Sequence, residues 1–368
     1  MSPERIHELL SRATRLAARG HGGAEPNPMV GCVIASDGGD VISEGFHRRC
    51  GGPHAEIEAL RAAGSAARGA TALVTLEPCA HRGRTGPCAD ALVEAGVAKV
   101  IYAVRDPNPI AEGGARKLAA AGVDARHVPH EGARELSLPF VKRVTTGLPW
   151  ISAKWAQSLD GAIALASGDS KWLSCARSRR MVHRERGRVD AILTGIGTVL
   201  ADDPRLTARD VRVMRPAMRV VYDPEACTPP AAHVCDGTAP TTLLVRATPD
   251  AAARARAERL AARGVRLLPL GPGDALEAPL RILSEEGIAR ILVESGGGLL
   301  GRLAREQLLD EAWVFVAPLL IGDRQAPQAA RGLSPTLLAA IPRARMLSVR
   351  RRGADALLNL RWWSAPQA

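Results

Sequence analysis

Residues 52–63 read GPHAEIEALRAA, and residues 71–92 read TALVTLEPCAHRGRTGPCADAL. Together they supply an imidazole at His54, a carboxylate at Glu56 and thiols at Cys79 and Cys88. Imidazole nitrogen and thiolate sulfur are the donors a tetrahedral zinc ion takes, and a site with three protein ligands keeps a fourth position for water. Zinc lowers the pKa of such a water from about 16 to about 7, which makes hydroxide available at neutral pH. Glu56 stands two residues from the imidazole, placed to carry protons without being a ligand. The spacing predicts a helix over 54–63 with Ile57 and Leu60 on one face. It predicts a short buried strand over 71–76, ending at Glu77-Pro78-Cys79. From Cys88, CADALVEAG predicts a second helix that stops at Gly96. The N–H groups at its start favour a thiolate.

A His-x-Glu followed by Pro-Cys and a second Cys is the pattern of zinc-dependent base deaminases. In that chemistry hydroxide attacks a ring carbon bearing an amino group. The carboxylate takes the water's proton, protonates the ring nitrogen and delivers a proton to departing ammonia. One feature departs from the usual Cys-x-x-Cys spacing. Eight residues, AHRGRTGP, separate Cys79 from Cys88, and they bring His81, Arg82 and Arg84. A basic loop beside the metal suggests a substrate carrying phosphate. A structural zinc with four protein ligands is the alternative, and Cys50 is then the best fourth ligand.

The chain has 368 residues, enough for two domains with a core each. Aromatic residues make up only 3% of it, so aliphatic packing must dominate those cores. The N-terminal MSPERIHELLSRATRLAARG predicts an amphipathic helix rather than a signal peptide, and no run reaches the roughly 18 apolar residues of a membrane span. Seven cysteines, three of them with a metal role, suit reduced thiols in a cytoplasmic protein. The net charge of +11 leaves nucleic-acid binding open. The basic residues are, however, scattered arginines set among acids, which favours a solvated surface with phosphate-binding sites.

Strands are expected at 29–35, 41–46, 71–76, 98–104 and 123–128, with helices between them, as in an α/β sandwich. A helical ARELSLPFVKRVTTG leads to Leu148-Pro149, and the domain boundary is placed there: 1–148 and 149–368. The second part predicts strands at 150–156, 189–194, 218–223, 241–246, 265–269, 290–294 and 311–317, closed by a hairpin within 346–363 around Gly353. ILVESGGGLLGRL (291–303) runs from a strand through glycines into a helix and contains Gly-x-Gly-x-x-Gly at Gly296, Gly298 and Gly301. Glycines before a helix start expose N–H groups to a phosphate. The same residues equally describe a tight turn into a helix.

In their order, PNPMVGCVI (26–34), GFHRRCGGPHAE (45–56), TLEPCAHRGRTGPCADAL (75–92), DPNP (106–109), KWAQSLDG (154–161), ASGDSKWLS (166–174), TVLADDPRLT (198–207) and LVESGG (292–297) resemble the bifunctional riboflavin-biosynthesis deaminase–reductases. The resemblance spans essentially the whole chain. It implies an α/β protein: a cytidine-deaminase-like three-layer α/β/α domain, then a dihydrofolate-reductase-like α/β domain. It implies Zn2+ and NADPH as cofactors and two successive reactions. The first is deamination of 2,5-diamino-6-ribosylamino-4(3H)-pyrimidinone 5′-phosphate. The second reduces the ribosyl group to ribityl, with hydride reaching C1′ as the sugar ring opens. The product is 5-amino-6-(5-phosphoribitylamino)uracil. The partners it implies are a small phosphorylated pyrimidine and further copies of the chain in a dimer or tetramer, with neither nucleic acid nor membrane.

By the same resemblance, His54, Cys79 and Cys88 match the zinc ligands and Glu56 the proton carrier. Asn27, His47, His81, Arg84, Asp106 and Asn108 match the deaminase substrate pocket. Ala156, Trp172, Thr198, Asp202 and the loop Gly296, Gly297, Gly298, Leu299, Leu300, Gly301 and Arg302 match cofactor contacts. Ser170, Arg186, Leu206, Arg209 and Glu294 match substrate contacts in the reductase, with Arg186 and Arg209 suited to its phosphate. Lys154 and Asp160 border the reacting sugar. Arg84 stands where a Lys is often found, Gly86 where a Pro is expected, and Ser295 where a Gly or Ala is usual. Pro224 stands where a small polar cofactor contact is common, and it has no N–H to donate. Two other readings remain: a nucleic-acid base deaminase with an accessory binding domain, and a reductase-like domain that only scaffolds the deaminase.

Overall fold

The computed structural model describes residues 1–368 except 82–85, 112, 214, 338, 340, 342 and 364–368. The chain forms two compact units, Met1–Gly147 and Leu148–Ala368. Among the described residues no helix is long and apolar enough to cross a membrane.

The first unit holds helix α1 (Pro3–Ala17), strands β1 (Gly31–Ala35) and β2 (Val41–Phe46), α2 (Ala55–Ala63), β3 (Thr71–Val74), α3 (Cys88–Glu94), β4 (Lys99–Tyr102), α4 (Gly114–Ala120), β5 (Asp124–His127) and α5 (Glu131–Thr146). The sheet order is β2-β1-β3-β4-β5. β1 is antiparallel to β2 and β3, whereas β3, β4 and β5 run parallel. Alternation along the strands feeds two cores. Cys32, Ile34, Ala72, Val74 and Val100 pack with Ala55 and Ala59 of α2, Leu92 of α3 and Leu118 of α4. Val33, Ala35, Leu73 and Ile101 turn the other way, onto Leu9, Leu10 and Ala13 of α1 and Ala133 of α5. Helices therefore cover both faces, and the expected three layers form.

The second unit holds β6 (Trp150–Gln157), α6 (Ala176–Arg186), β7 (Ala191–Gly195), α7 (Ile196–Asp202), β8 (Met218–Tyr222), β9 (Thr241–Val245), α8 (Ala251–Ala261), β10 (Arg266–Pro269), α9 (Glu277–Glu285), β11 (Arg290–Val293), α10 (Gly297–Arg305), β12 (Glu311–Val316), β13 (Arg345–Arg352) and β14 (Asp355–Arg361). Its sheet runs β10-β9-β8-β7-β11-β6-β12-β14-β13. All neighbours are parallel up to β12, and the closing hairpin β13–β14 adds antiparallel strands, turning at Gly353 with φ +68°. Ile151, Leu193, Val220 and Ile291 pack against Leu280 and Leu283 of α9 and Leu300 and Leu303 of α10. Ile192, Val221, Leu243 and Leu292 face Val199 of α7 and Leu260 of α8.

One glycine fixes the position of α2. A Cβ at Gly45 of β2 would lie 2.3 Å from the carbonyl oxygen of Ala55 and 2.5 Å from the amide nitrogen of Ala59. Strand and helix touch backbone to backbone there, which sets where His54 and Glu56 stand. Gly45→Ala is therefore expected to destabilise the first unit by about 2 kcal/mol through overpacking. Urea unfolding followed by circular dichroism checks this.

Candidate active sites

In the first unit the parallel strands β3 and β4 end side by side, and the segments after them, 75–80 and 103–111, shape a cleft at their carboxyl ends, where α/β proteins bind ligands. The cleft contains about 680 Å³ of empty space, part of it open to solvent. His54 reaches it as the extended N-cap of α2, and Glu56 from the first turn of that helix. Cys79 follows β3, and Cys88 opens α3.

The imidazole and two thiols converge. His54 Nδ1 lies 3.2 Å from Cys88 Sγ and 3.7 Å from Cys79 Sγ. Zinc–ligand bonds of about 2.0 and 2.3 Å at tetrahedral angles put nitrogen and sulfur about 3.5 Å apart. The donor set therefore fits one zinc ion with little adjustment. All three donor atoms lie within 4.8 Å of one another, and among the described residues no other side chain joins them as a potential ligand group. Cys50, the fourth-ligand candidate, is exposed and outside the cluster.

The electrostatics favour holding a cation. The Cys79 thiol is pulled down to about 4, first by its hydrogen bond with Cys88 and further by His54 and the backbone N–H of Cys88. The Cys88 thiol moves the opposite way, because it donates to that thiolate. His54 is raised by its bond to Cys79. Glu56 is only 3% exposed, and burial lifts its carboxyl to about 7. A carboxyl in that range exchanges protons readily at neutral pH.

Around this centre the cleft is lined by Asn27, His47, His81, Asp106 and Asn108, all of them named by the sequence. His47 donates through Nδ1 to the carbonyl of Pro53 at 2.9 Å, which leaves Nε2, 3.3 Å from Asn27 Nδ2, as the acceptor. Burial keeps His47 below its ordinary pKa and hence neutral. Arg84 lies outside the described residues. Gly86 is exposed, with open space where a Cβ would stand. The sequence reading missed Glu77 and Phe140, which also line the cleft. Glu77 was read only as a strand end, and Phe140 joins from α5, too far along the chain for any local pattern to find.

In the second unit Glu294, just past the carboxyl end of β11, meets Arg186, the last residue of α6, and interacts with Lys154 within β6. Arg186 grips Glu294 with two parallel bonds, Nε to Oε1 at 2.5 Å and Nη2 to Oε2 at 2.9 Å, and Nη1 donates to the Thr207 carbonyl at 3.1 Å. Burial pushes the Glu294 carboxyl up, but Arg186, Lys154 and His183 more than offset it and hold it below the usual range. Burial pushes the Lys154 ammonium down against the pull of Glu294. Three of the Arg186 donors are already engaged, so the guanidinium is less free for a phosphate than the sequence suggested. Arg209 is exposed, and its backbone N–H donates to His183 Nδ1 at 3.3 Å. His183 is a neighbour that the sequence reading did not name.

The glycine loop divides in two. No atom stands within 4 Å of a Cβ built at Gly296 or Gly298, which leaves the start of α10 open to a ligand. At Gly297 and Gly301 a Cβ would strike the carbonyls of Gln328 and Arg331, at 2.2 and 1.8 Å, so these glycines admit a packed segment. Leu299 and Leu300 are buried in the core and offer a cofactor only backbone. Thr198 Oγ1 accepts from the Gly296 N–H at 3.3 Å. The Arg302 guanidinium is spent on the carbonyls of Gly273 and Asp274 and on Glu306, and lies over the Tyr222 ring.

The remaining positions are mixed. Trp172 is 67% exposed beneath Arg179, and the adjacent Lys171 pairs with Asp202 at 3.5 Å. Ser170 and Ala156 are half-buried, and Leu206 is buried. Asp160 is exposed and uses both oxygens on the backbone N–H groups of Ile321 and Gly322, so it braces a loop. The Pro224 carbonyl accepts from the Arg246 N–H at 3.0 Å.

A profile of the cytidine and deoxycytidylate deaminase zinc-binding region matches residues 3–104, and one of the RibD C-terminal domain matches residues 149–358. The chain is 40% identical to the riboflavin biosynthesis protein RibD of Escherichia coli K12, covering 95% of this chain and 98% of that protein. The chain belongs to the RibD family. RibD of Aquifex aeolicus is also 40% identical, over 84% of this chain and 86% of its own length. The Acinetobacter baumannii RibD structure, form 1, matches with a TM-score of 0.85 at 36% identity, covering 98% of this chain and 99% of that one. The Thermotoga maritima diaminohydroxyphosphoribosylaminopyrimidine deaminase/5-amino-6-(5-phosphoribosylamino)uracil reductase matches with a TM-score of 0.84 at 31% identity, over 98% and 99% of the two chains. As a RibD, the protein is a deaminase and reductase of riboflavin biosynthesis, with a zinc-binding region in its first part and an NADPH-dependent reductase region in its second.

Asp106 carries a testable cost. Burial lifts its carboxyl to about 6. A carboxyl raised on folding opposes stability when ionised, fully above the folded pKa, and the penalty fades as pH falls toward the unfolded value near about 4. Asp106→Asn is therefore expected to stabilise the first unit at about pH 8 and to lose that advantage by about pH 4. Urea midpoints at the two pH values check it, and an equal effect at both would contradict it.

Proposed function

We propose that the deaminase chemistry is carried by Glu56 beside a zinc ion held by His54, Cys79 and Cys88, and that Asn27, His47, His81, Asp106 and Asn108 hold the pyrimidine. The carrying observation is the convergence of one imidazole and two thiols beside a buried carboxylate that is not among the clustered donors. Zinc in that cluster supplies Lewis acidity and lowers the pKa of a water to about 7. Glu56 would take a proton from the attacking water, pass it to the ring nitrogen and return one to the leaving ammonia. Its burial raises proton affinity enough for both directions. Asn27 Nδ2 and the neutral His47 give the pocket polar contacts of fixed orientation, and Asp106 and Asn108 face the ring from the β4 side.

The second unit binds NADPH across the open start of α10, at Gly296 and Gly298, with Thr198 beside it; the empty space at both glycines supports that fit. NADPH supplies the reducing equivalents. Glu294, fixed by Arg186, and Lys154 orient the ribosyl group. The order is deamination first, then reduction to 5-amino-6-(5-phosphoribitylamino)uracil.

We infer further that the substrate is a small phosphorylated pyrimidine rather than a nucleic acid, since the chain has few aromatic side chains for stacking bases. The protein works in the cytoplasm as a dimer or tetramer. Cysteines without a disulfide suit a reducing compartment, and exposed apolar side chains at Met346 and Val349 on the edge strand β13 suit contacts between copies.

A coupled assay on the zinc-loaded full chain tests the assignment. With 2,5-diamino-6-ribosylamino-4(3H)-pyrimidinone 5′-phosphate, ammonia is expected with or without NADPH, and NADPH oxidation only after deamination. Glu56→Gln is expected to keep its zinc and lose ammonia release by about 10³-fold or more. Glu294→Ala is expected to deaminate normally and fail in reduction. Loss of zinc from Glu56→Gln, or equal damage to both reactions in Glu294→Ala, would contradict the residue roles.

A further inference from the structure

Glu77 is only 8% exposed, lines the cleft and takes no part in the mechanism above. Its two carboxylate oxygens accept from backbone groups at opposite ends of one connection. Oε1 takes the N–H of Ala115 at 3.0 Å, and Oε2 takes the N–H of Asp106 at 3.4 Å. Its own N–H donates to the Val104 carbonyl at 2.8 Å. The connection between β4 and α4 is thus drawn onto the segment that carries Cys79. Further bonds continue the seam. The Ala80 N–H donates to the Ala111 carbonyl at 3.1 Å. Gly114 sits so close to Pro78 that a Cβ would lie 1.7 Å from its carbonyl oxygen. Within the connection, Asp106 Oδ1 accepts from the Asn108 N–H at 2.9 Å, and Asn108 Oδ1 accepts from the Ile110 N–H at 3.1 Å.

We propose that Glu77 is a positioning residue for deamination: its carboxylate fixes the connection bearing Asp106 and Asn108 at a set distance from the Cys79 end of the cleft. The inference rests on the reading of Asp106 and Asn108 as substrate contacts. The Asp106 N–H is buried and the Ala115 N–H partly so, and a carboxylate bonds such groups more strongly than a neutral amide does. Glutamine has nearly the same shape but only one accepting oxygen, and its amide would turn N–H groups toward a backbone donor. Glu77→Gln therefore loosens one end of the connection while leaving the zinc ligands and Glu56 in place.

The test uses the zinc-loaded full chain and compares Glu77→Gln, Asn108→Ala and the double variant in steady-state deamination, with zinc content measured in each. Glu77→Gln is expected to raise KM about tenfold with kcat changed far less, because substrate binding is what the connection supplies. The double variant is expected to raise KM by less than the product of the two single effects, because Glu77 acts in part by holding Asn108. Zinc stoichiometry and reduction of the deaminated intermediate are expected to stay at wild-type levels. A normal KM in Glu77→Gln alongside a raised KM in Asn108→Ala would overturn the role of Glu77 alone. Normal KM in Asn108→Ala would overturn the reading of Asn108 on which the role rests. Zinc loss or a fall in kcat alone in Glu77→Gln would reassign Glu77 to the metal end of the cleft.

Discussion

The first unit depends on keeping two thiols and an imidazole in mutual contact within a protein interior. Cys79 and Cys88 are both buried, and burial opposes a thiolate. The charge on Cys79 is kept because Cys88 donates to it from side chain and backbone and His54 donates from the other side. Those three donors reach one point only if β3 ends where it does, α3 starts at Cys88 and α2 presses on β2 at Gly45. The sheet, the two helices and the close glycine contact can be understood as the frame for that meeting of charges.

The second unit solves a different problem with a different device. It buries opposite charges and joins them, with Arg186 and Glu294 forming a two-bond fork beside Lys154. Buried pairs of this kind contribute little net stability but hold their partners in one orientation. The carboxylate of Glu294 is thereby held below the usual range and fixed just past the carboxyl end of β11. The metal-binding cluster of the first unit thus lies at the carboxyl ends of parallel strands, and the ion pair of the second lies just past the carboxyl end of β11.

Much of this was legible in the sequence. Every strand expected from apolar runs is present, and so are the helices that begin at His54 and Cys88, because their signals are local: apolar spacing, a Gly stop, a Pro before the helix. The meeting of His54, Cys79 and Cys88 was legible because their residue types and offsets follow a known metal-ligand pattern. What stayed hidden depends on contacts between distant residues. Glu77 gives no local sign that its oxygens reach Asp106 and Ala115. The roles of Gly297 and Gly301 are set by the carbonyls of Gln328 and Arg331, some thirty residues on. Asp160 reads as a turn residue near the sugar, yet its bonds go to Ile321 and Gly322. Arg302 continues a phosphate-loop pattern, yet its guanidinium is consumed by carbonyls of the 273–274 turn.

On the proposed assignment, His54, Cys79 and Cys88 alone hold one zinc ion and leave a position for water beside Glu56. Zinc-edge X-ray absorption on the metal-loaded full chain measures it directly. Two sulfur neighbours at about 2.3 Å and two nitrogen or oxygen neighbours at about 2.0 Å are expected. A third sulfur in the shell would contradict the assignment, because Cys50 or another thiol would then close the site and leave no place for the reacting water.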